Sequence, residues 1–125
     1  MGVVSVMGWV MDRDCLFCRI VTGEVLAGIV YQDDAVTAFN DIHPQARAHV
    51  LVIPNVHIAS LNEAPAADPE LFGRLLQIAA RVAQEAGIDH SGYRVTVNNG
   101  PDAGQTVFHL HFHVLGGNQL RMGLG

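Results

Sequence analysis

The chain of 125 residues is half hydrophobic and 15% charged, which suits one folded domain with a sizeable core and excludes a disordered chain. Its seven basic residues are all Arg, against twelve acidic ones, for a net charge of −5; there is no basic stripe for a nucleic-acid backbone, and a P-loop or Schiff-base lysine is excluded. No apolar run is long enough to span a bilayer, so the chain is read as cytoplasmic with no membrane partner.

Residues 1–13 read as a flexible N-terminal leader. They are mildly apolar, lack a basic start and a small-residue cleavage site, and predict no secretory signal; Met7 or Met11 could serve as the start. Residues 14–125 read as a single domain. Asp14 to Thr22 predicts a short helix, capped by Asp14 and ended at Gly23. Short strands follow at Gly28–Tyr31 and Ala35–Asn40, with Asp33–Asp34 as a turn. Ala48 to Ile53 is a strong strand stopped by Pro54. It places His49, Leu51 and Ile53 on one face and Val50 and Val52 on the other.

His57 to Asn62 reads as a helical turn. The one long helix runs from Pro69 to Ala86. Asp68 is its N-cap, Pro69 its first residue and Gly87 its C-cap. Leu71, Leu75, Ile78, Ala79, Val82, Ala83 and Ala86 make its apolar stripe. Gly92 to Val97 is a further strand, and Asn98 to Thr106 a polar, Gly-rich loop. Short, hairpin-like connections favour an α+β fold with an antiparallel sheet.

The loop leads into His109-Leu-His-Phe-His-Val-Leu115. Imidazoles alternate with apolar residues, the pattern of a strand with one face buried. Leu110, Phe112 and Val114 point to the core, and the three histidines share the other face. Each ring ordinarily titrates near pH 6.5. Acid–base or nucleophilic chemistry ranks first for this cluster, metal binding second and a solvated strand face last. His111, flanked on both sides, is the natural nucleophile. His113 and His49 would hold its tautomer or contact a phosphate, and Thr106 and the loop N–H groups would meet developing charge. Cys15 and Cys18 form a C-x-x-C pair. Half of a Cys/His zinc site and two free thiols weigh equally here, and a redox pair weighs less.

Taken together these motifs resemble the histidine-triad (HIT) family, in its Hint-like, purine nucleoside phosphoramidase branch. The resemblance rests on the triad and on Cys15-Leu-Phe-Cys18-Arg-Ile20, Asp41-Ile-His-Pro44-Gln, His49-Val-Leu-Val-Ile-Pro54, Gly92-Tyr-Arg, Asn98 and Gly104-Gln-Thr-Val. It covers residues 14 to 120. His113 is not Gln, which separates the chain from the uridylyltransferase-like branch, and the tail lacks the Trp of some Hint proteins. Thr106 replaces the usual Ser and keeps the hydroxyl.

The resemblance implies a five-stranded antiparallel sheet with one long and one short N-terminal helix. It implies a homodimer whose sheets join edge to edge. It further implies hydrolysis of purine nucleoside phosphoramidates, or related nucleotidyl conjugates, through a nucleotidyl-histidine intermediate. Dinucleoside polyphosphate hydrolysis, or simple nucleotide binding, is the alternative. By position, His111 is the nucleophile and His49, His109 and His113 complete the catalytic set. Asn98, Gly104, Gln105 and Thr106 would contact phosphate and leaving group, Asp41 the ribose, and Phe17, Ile20, Phe39 and Ile42 the base. The chemistry itself needs no cofactor. A structural zinc would be held by Cys15, Cys18, His57 and His109.

Overall fold

The computed structural model describes residues 3–6, 9–64 and 68–123. Five strands form one antiparallel sheet: β3 (Ile29–Gln32), β4 (Val36–Asn40), β5 (Ala48–Pro54), β6 (Tyr93–Val97) and β7 (Phe112–Gly116), in the order β3-β4-β5-β7-β6. With the short helix α1 (Leu16–Val21) and the long helix α2 (Pro69–Glu85), this is the α+β architecture expected. Inside the segment read as a leader, β1 (Val3–Val6) and β2 (Trp9–Asp12) pair as an antiparallel ribbon. Met11 is 2% exposed and packs against α1 residues.

Strand alternation divides the core in two. Val36, Ala38, Val50, Val52, Phe112 and Val114 lie on the face covered by α2. Phe39, Leu51 and Ile53 lie on the opposite face, under α1. Helix α2 forms because Asp68 accepts the Leu71 N–H at 3.2 Å, Pro69 opens the first turn, and apolar residues recur at helical spacing. Leu75, Ile78, Ala79, Val82 and Ala83 are buried, and each large one contributes about 1.5–3 kcal/mol of burial. Ala86 is exposed and outside the stripe, because the helix ends at Glu85. Gly87, at φ +74°, takes the chain out of the helix.

Four local expectations are corrected. Helix α1 is capped by Cys15, whose sulfur accepts the Cys18 N–H at 3.3 Å, while Asp14 is exposed. Strand β5 includes Pro54, which pairs with Val36 at the end of the ladder. The turn after His57 is a 3-10 turn at Leu61–Glu63.

The fourth correction matters most for the site. The histidine strand starts at Phe112 and not at His109. Pairing of β5 with β7 ends at Val52–Phe112. Pro54 has no N–H with which to extend the ladder, and its carbonyl instead accepts the His109 ring N–H at 2.8 Å. The Leu110 N–H goes to the Ile58 carbonyl at 2.7 Å. His109 is therefore sunk beneath the sheet end, fully buried, and does not share an open face with the other two. Leu110, Phe112 and Val114 do point into the α2 core.

Candidate active site

A chain of hydrogen bonds fixes the protons on three histidines. The His111 Nδ1 lies 2.7 Å from the His109 carbonyl oxygen. A carbonyl only accepts, so Nδ1 carries the proton and Nε2 is left with a bare lone pair. The His49 Nδ1 lies 3.0 Å from the Gln45 backbone N, which only donates. Neutral His49 therefore carries its proton on Nε2, which lies 2.9 Å from the His113 Nδ1 and donates to it. His113 in turn carries its proton on Nε2. The cluster thus offers one imidazole lone pair, from His111, and one imidazole N–H, from His113. Their ring centres are 5.0 Å apart.

Burial keeps these rings neutral. Desolvation lowers the His111 pKa, opposed by its hydrogen bond to the His109 carbonyl. Desolvation, with the adjacent His111 and His49, pushes His113 down to about 4. His49 is also lowered by burial, against the pull of the Asp41 carboxylate 3.5 Å from its Nε2. A neutral imidazole is the nucleophilic form. Asp41, His49 and His113 cluster closely enough to hold a cation. However, the facing nitrogens of the two rings already share a proton, so the group reads as a relay that orients His113.

On the other side of His111, Cys15 Sγ, Cys18 Sγ, His57 Nδ1 and His109 Nδ1 all lie within 4.8 Å of one another. The sulfur–nitrogen separations are 3.3 Å (Cys15–His109), 3.3 Å (Cys18–His57) and 3.5 Å (Cys18–His109). Tetrahedral zinc with the usual bond lengths needs ligand separations of about 3.3–3.8 Å, so the donors fit. The His109 Nε2–H is committed to the Pro54 carbonyl, which turns the lone pair of Nδ1 toward the sulfurs. The hydrogen bond shared between the two sulfurs lowers the pKa of the Cys15 thiol and raises that of Cys18. Phe17, between the two cysteines in sequence, packs edge-on to His109, His111 and Phe39 at 5.9, 5.2 and 5.2 Å.

A HIT domain family model matches residues 22–120. The chain belongs to the HIT family. Its relatives include the purine nucleoside phosphoramidase of Escherichia coli (strain K12), 44% identical over 88% of this chain and 92% of the relative. Among solved structures, a HIT family hydrolase from Legionella pneumophila superposes with a TM-score of 0.87 at 43% identity, covering 90% of this chain and all of that one. A Zn-bound histidine triad family protein from Mycobacterium smegmatis superposes with a TM-score of 0.74 at 36% identity, covering 87% of this chain and 81% of that one.

In this HIT protein the loop from Asn98 to Thr106 is an ordered shelf. Gly100 (φ +85°) and Gly104 (φ +87°) bracket a 3-10 turn at Pro101–Ala103, in a backbone region that side chains rarely adopt. Gln105 staples the shelf from within. Its side chain accepts from Gly100 N and donates to the Ala59 and Val107 carbonyls. It is 4% exposed, so the side chain faces inward. The Asn98 amide donates to the Ala103 carbonyl at 2.8 Å, while Thr106 is exposed. Asp41 accepts the His43 N–H at 2.8 Å. Phe17 and Ile20 of α1 are buried in one cluster with Phe39 of the sheet. Ile42, grouped with them by the resemblance, is 82% exposed and outside that cluster.

Sequence reading missed several contributors. The Gln45 N–H and the Pro54 and His109 carbonyls set the ring tautomers, and backbone groups carry no sequence signal. Asp12, 3.9 Å from the His57 Nε2, stood in the segment set aside as a leader. No helix among the described residues is long and apolar enough to cross a membrane.

Proposed function

We propose that this HIT-family enzyme hydrolyses purine nucleoside phosphoramidates, or related nucleotidyl conjugates, to the nucleoside monophosphate. One observation carries the reading: His111 offers a neutral Nε2 lone pair, its tautomer locked by the His109 carbonyl, beside the Nε2–H of His113. The lone pair attacks phosphorus and forms a P–N bond. The bond to the leaving amine breaks, its electron pair stays on the amine nitrogen, and that nitrogen takes up a proton from solvent. A water then attacks phosphorus, releases a proton and returns the electron pair to His111. The two protons cancel, and the net reaction is the conjugate plus water giving AMP plus amine. His113 donates to a phosphoryl oxygen as charge develops.

In the same reading, Asn98, Gly104, Gln105 and Thr106 hold the phosphate and leaving group, the Gln105 side chain by shaping the loop. Asp41 takes the ribose, and Phe17, Ile20, Phe39 and Ile42 form the base site. Zinc on Cys15, Cys18, His57 and His109 would be structural, tying α1 to the sheet end. The active form would be a cytoplasmic homodimer with sheets joined edge to edge. Turnover of adenosine 5′-phosphoramidate against a dinucleoside polyphosphate tests the reading. It requires the phosphoramidate to be the better substrate, and exclusive cleavage of the polyphosphate would replace it.

A pH dependence follows. With His113 titrating near 4, the catalytic form persists well below the ordinary imidazole value of about 6.5. The acid limb of kcat/KM is therefore expected below pH 6.5, and a limb at 7 or above would contradict the neutral cluster. Stability has a matching sign. The unfolded chain protonates this histidine near 6.5 and the folded chain does not, so stability falls from about pH 6.5 toward 4 and then levels. A urea series across that range checks it.

A further inference from the structure

Two clefts of opposite charge adjoin the proposed site. One, of about 400 Å³, is lined by residues including Asp12, Asp14, His57, Thr106 and Phe108, and has no arginine. The other, of about 450 Å³, has Arg94 and Arg121 in its wall together with His49 and His113, and none of its lining residues bears a carboxylate.

The sheet register explains the second cleft. His113 pairs with Thr96 across β6–β7, and Leu115 pairs with Arg94. Arg94 is thus the diagonal neighbour of His113 on the same face. Such positions lie about 7–8 Å apart, within reach of a long side chain. The guanidinium of Arg94 also donates to the Arg121 carbonyl at 2.8 Å, which holds the tail segment beside the cleft. Of the other five arginines, three pair with carboxylates: Arg19 with Glu24, Arg74 with Asp33 and Arg81 with Glu85. Among the described residues, neither Arg94 nor Arg121 makes an ion pair. In a chain of net charge −5, two such guanidiniums beside the histidine relay form a local anion site.

We infer that Arg94 and Arg121 form a leaving-group subsite for an oxyanion, either the carboxylate of an amino-acid leaving group or the phosphate of a nucleotide one. The inference rests on the hydrolase reading above. The P–N or P–O bond still breaks at the phosphorus attacked by His111. The arginines engage a charge on the departing fragment, and no proton or electron passes through them.

The test uses two substrate pairs on the full chain. The first is AMP joined through nitrogen to glycine, against AMP joined to glycinamide, which keeps the shape and removes the charge. The second is diadenosine triphosphate against adenosine 5′-phosphoramidate. Wild type is expected to favour glycine over glycinamide by about fivefold in kcat/KM, the size of an exposed charge pair. In Arg94→Ala/Arg121→Ala that ratio should fall to about one, and Arg94→Lys should restore part of it. Because the ratio is internal to each variant, partial loss of folded protein does not disturb it. A drop confined to the second pair assigns the subsite to phosphate. Ratios unchanged in both pairs overturn the subsite and leave the hydrolase reading standing. No turnover of any of the four removes both.

Discussion

His111→Ala is expected to lower kcat for adenosine 5′-phosphoramidate by about 10⁴-fold or more, while AMP binding changes only several-fold. The nucleophile in this account is one nitrogen, and no other described group offers a lone pair at that position. His113 presents an N–H, His49 spends both its nitrogens on Gln45 and His113, and His109 spends its Nε2–H on Pro54. Removing a covalent nucleophile abolishes the two-step route and leaves only binding and electrostatic help, which accounts for losses of this size in other covalent enzymes. His113→Ala removes a donor to the phosphoryl oxygen and is expected to cost less, about 10²- to 10³-fold. Steady-state kinetics with AMP titrations separate the two effects. Equal losses for the two variants would argue that His111 acts by binding rather than by attack.

Metal removal should have the second largest effect, and on stability rather than on chemistry. If the four donors hold zinc, the folded state binds it and the unfolded chain does so poorly. Binding at about 1,000 times Kd then adds about 4 kcal/mol. For a chain of this size that corresponds to a Tm lowered on the order of 15 °C by a chelator. Cys18→Ser should show a similarly low Tm that added zinc no longer raises. Chelated protein kept below its Tm should still turn over substrate, since His111 is not among the donors. Loss of all activity with the fold intact, seen by circular dichroism, would make the metal catalytic and contradict the histidine route.

Much of the fold was legible. The alternation in Ala48–Ile53 and Tyr93–Val97, and the capped apolar stripe of α2, fix two strands and the long helix through side-chain spacing alone. The alternation around His109 misled about the start of β7, because a period of two reports which side a residue faces and not whether its backbone is paired. Pro54, on a different strand, ends the pairing there. The grouping of Cys15, Cys18, His57 and His109 came from the family resemblance, since residues so far apart in sequence have no local signature. The tautomers were not legible at all. They depend on the Gln45 N–H and the His109 and Pro54 carbonyls, which every residue type supplies. Arg94, quoted only within the Gly92-Tyr-Arg motif, and Arg121 were given no role, because strand register puts Arg94 beside His113 and a backbone contact brings the Arg121 segment to it.

The most direct test of the central claim is mass spectrometry of the protein quenched during turnover of adenosine 5′-phosphoramidate, with peptide mapping. The account predicts an AMP adduct on His111, absent from His111→Ala. An adduct mapped to His113, His49 or either cysteine would contradict it.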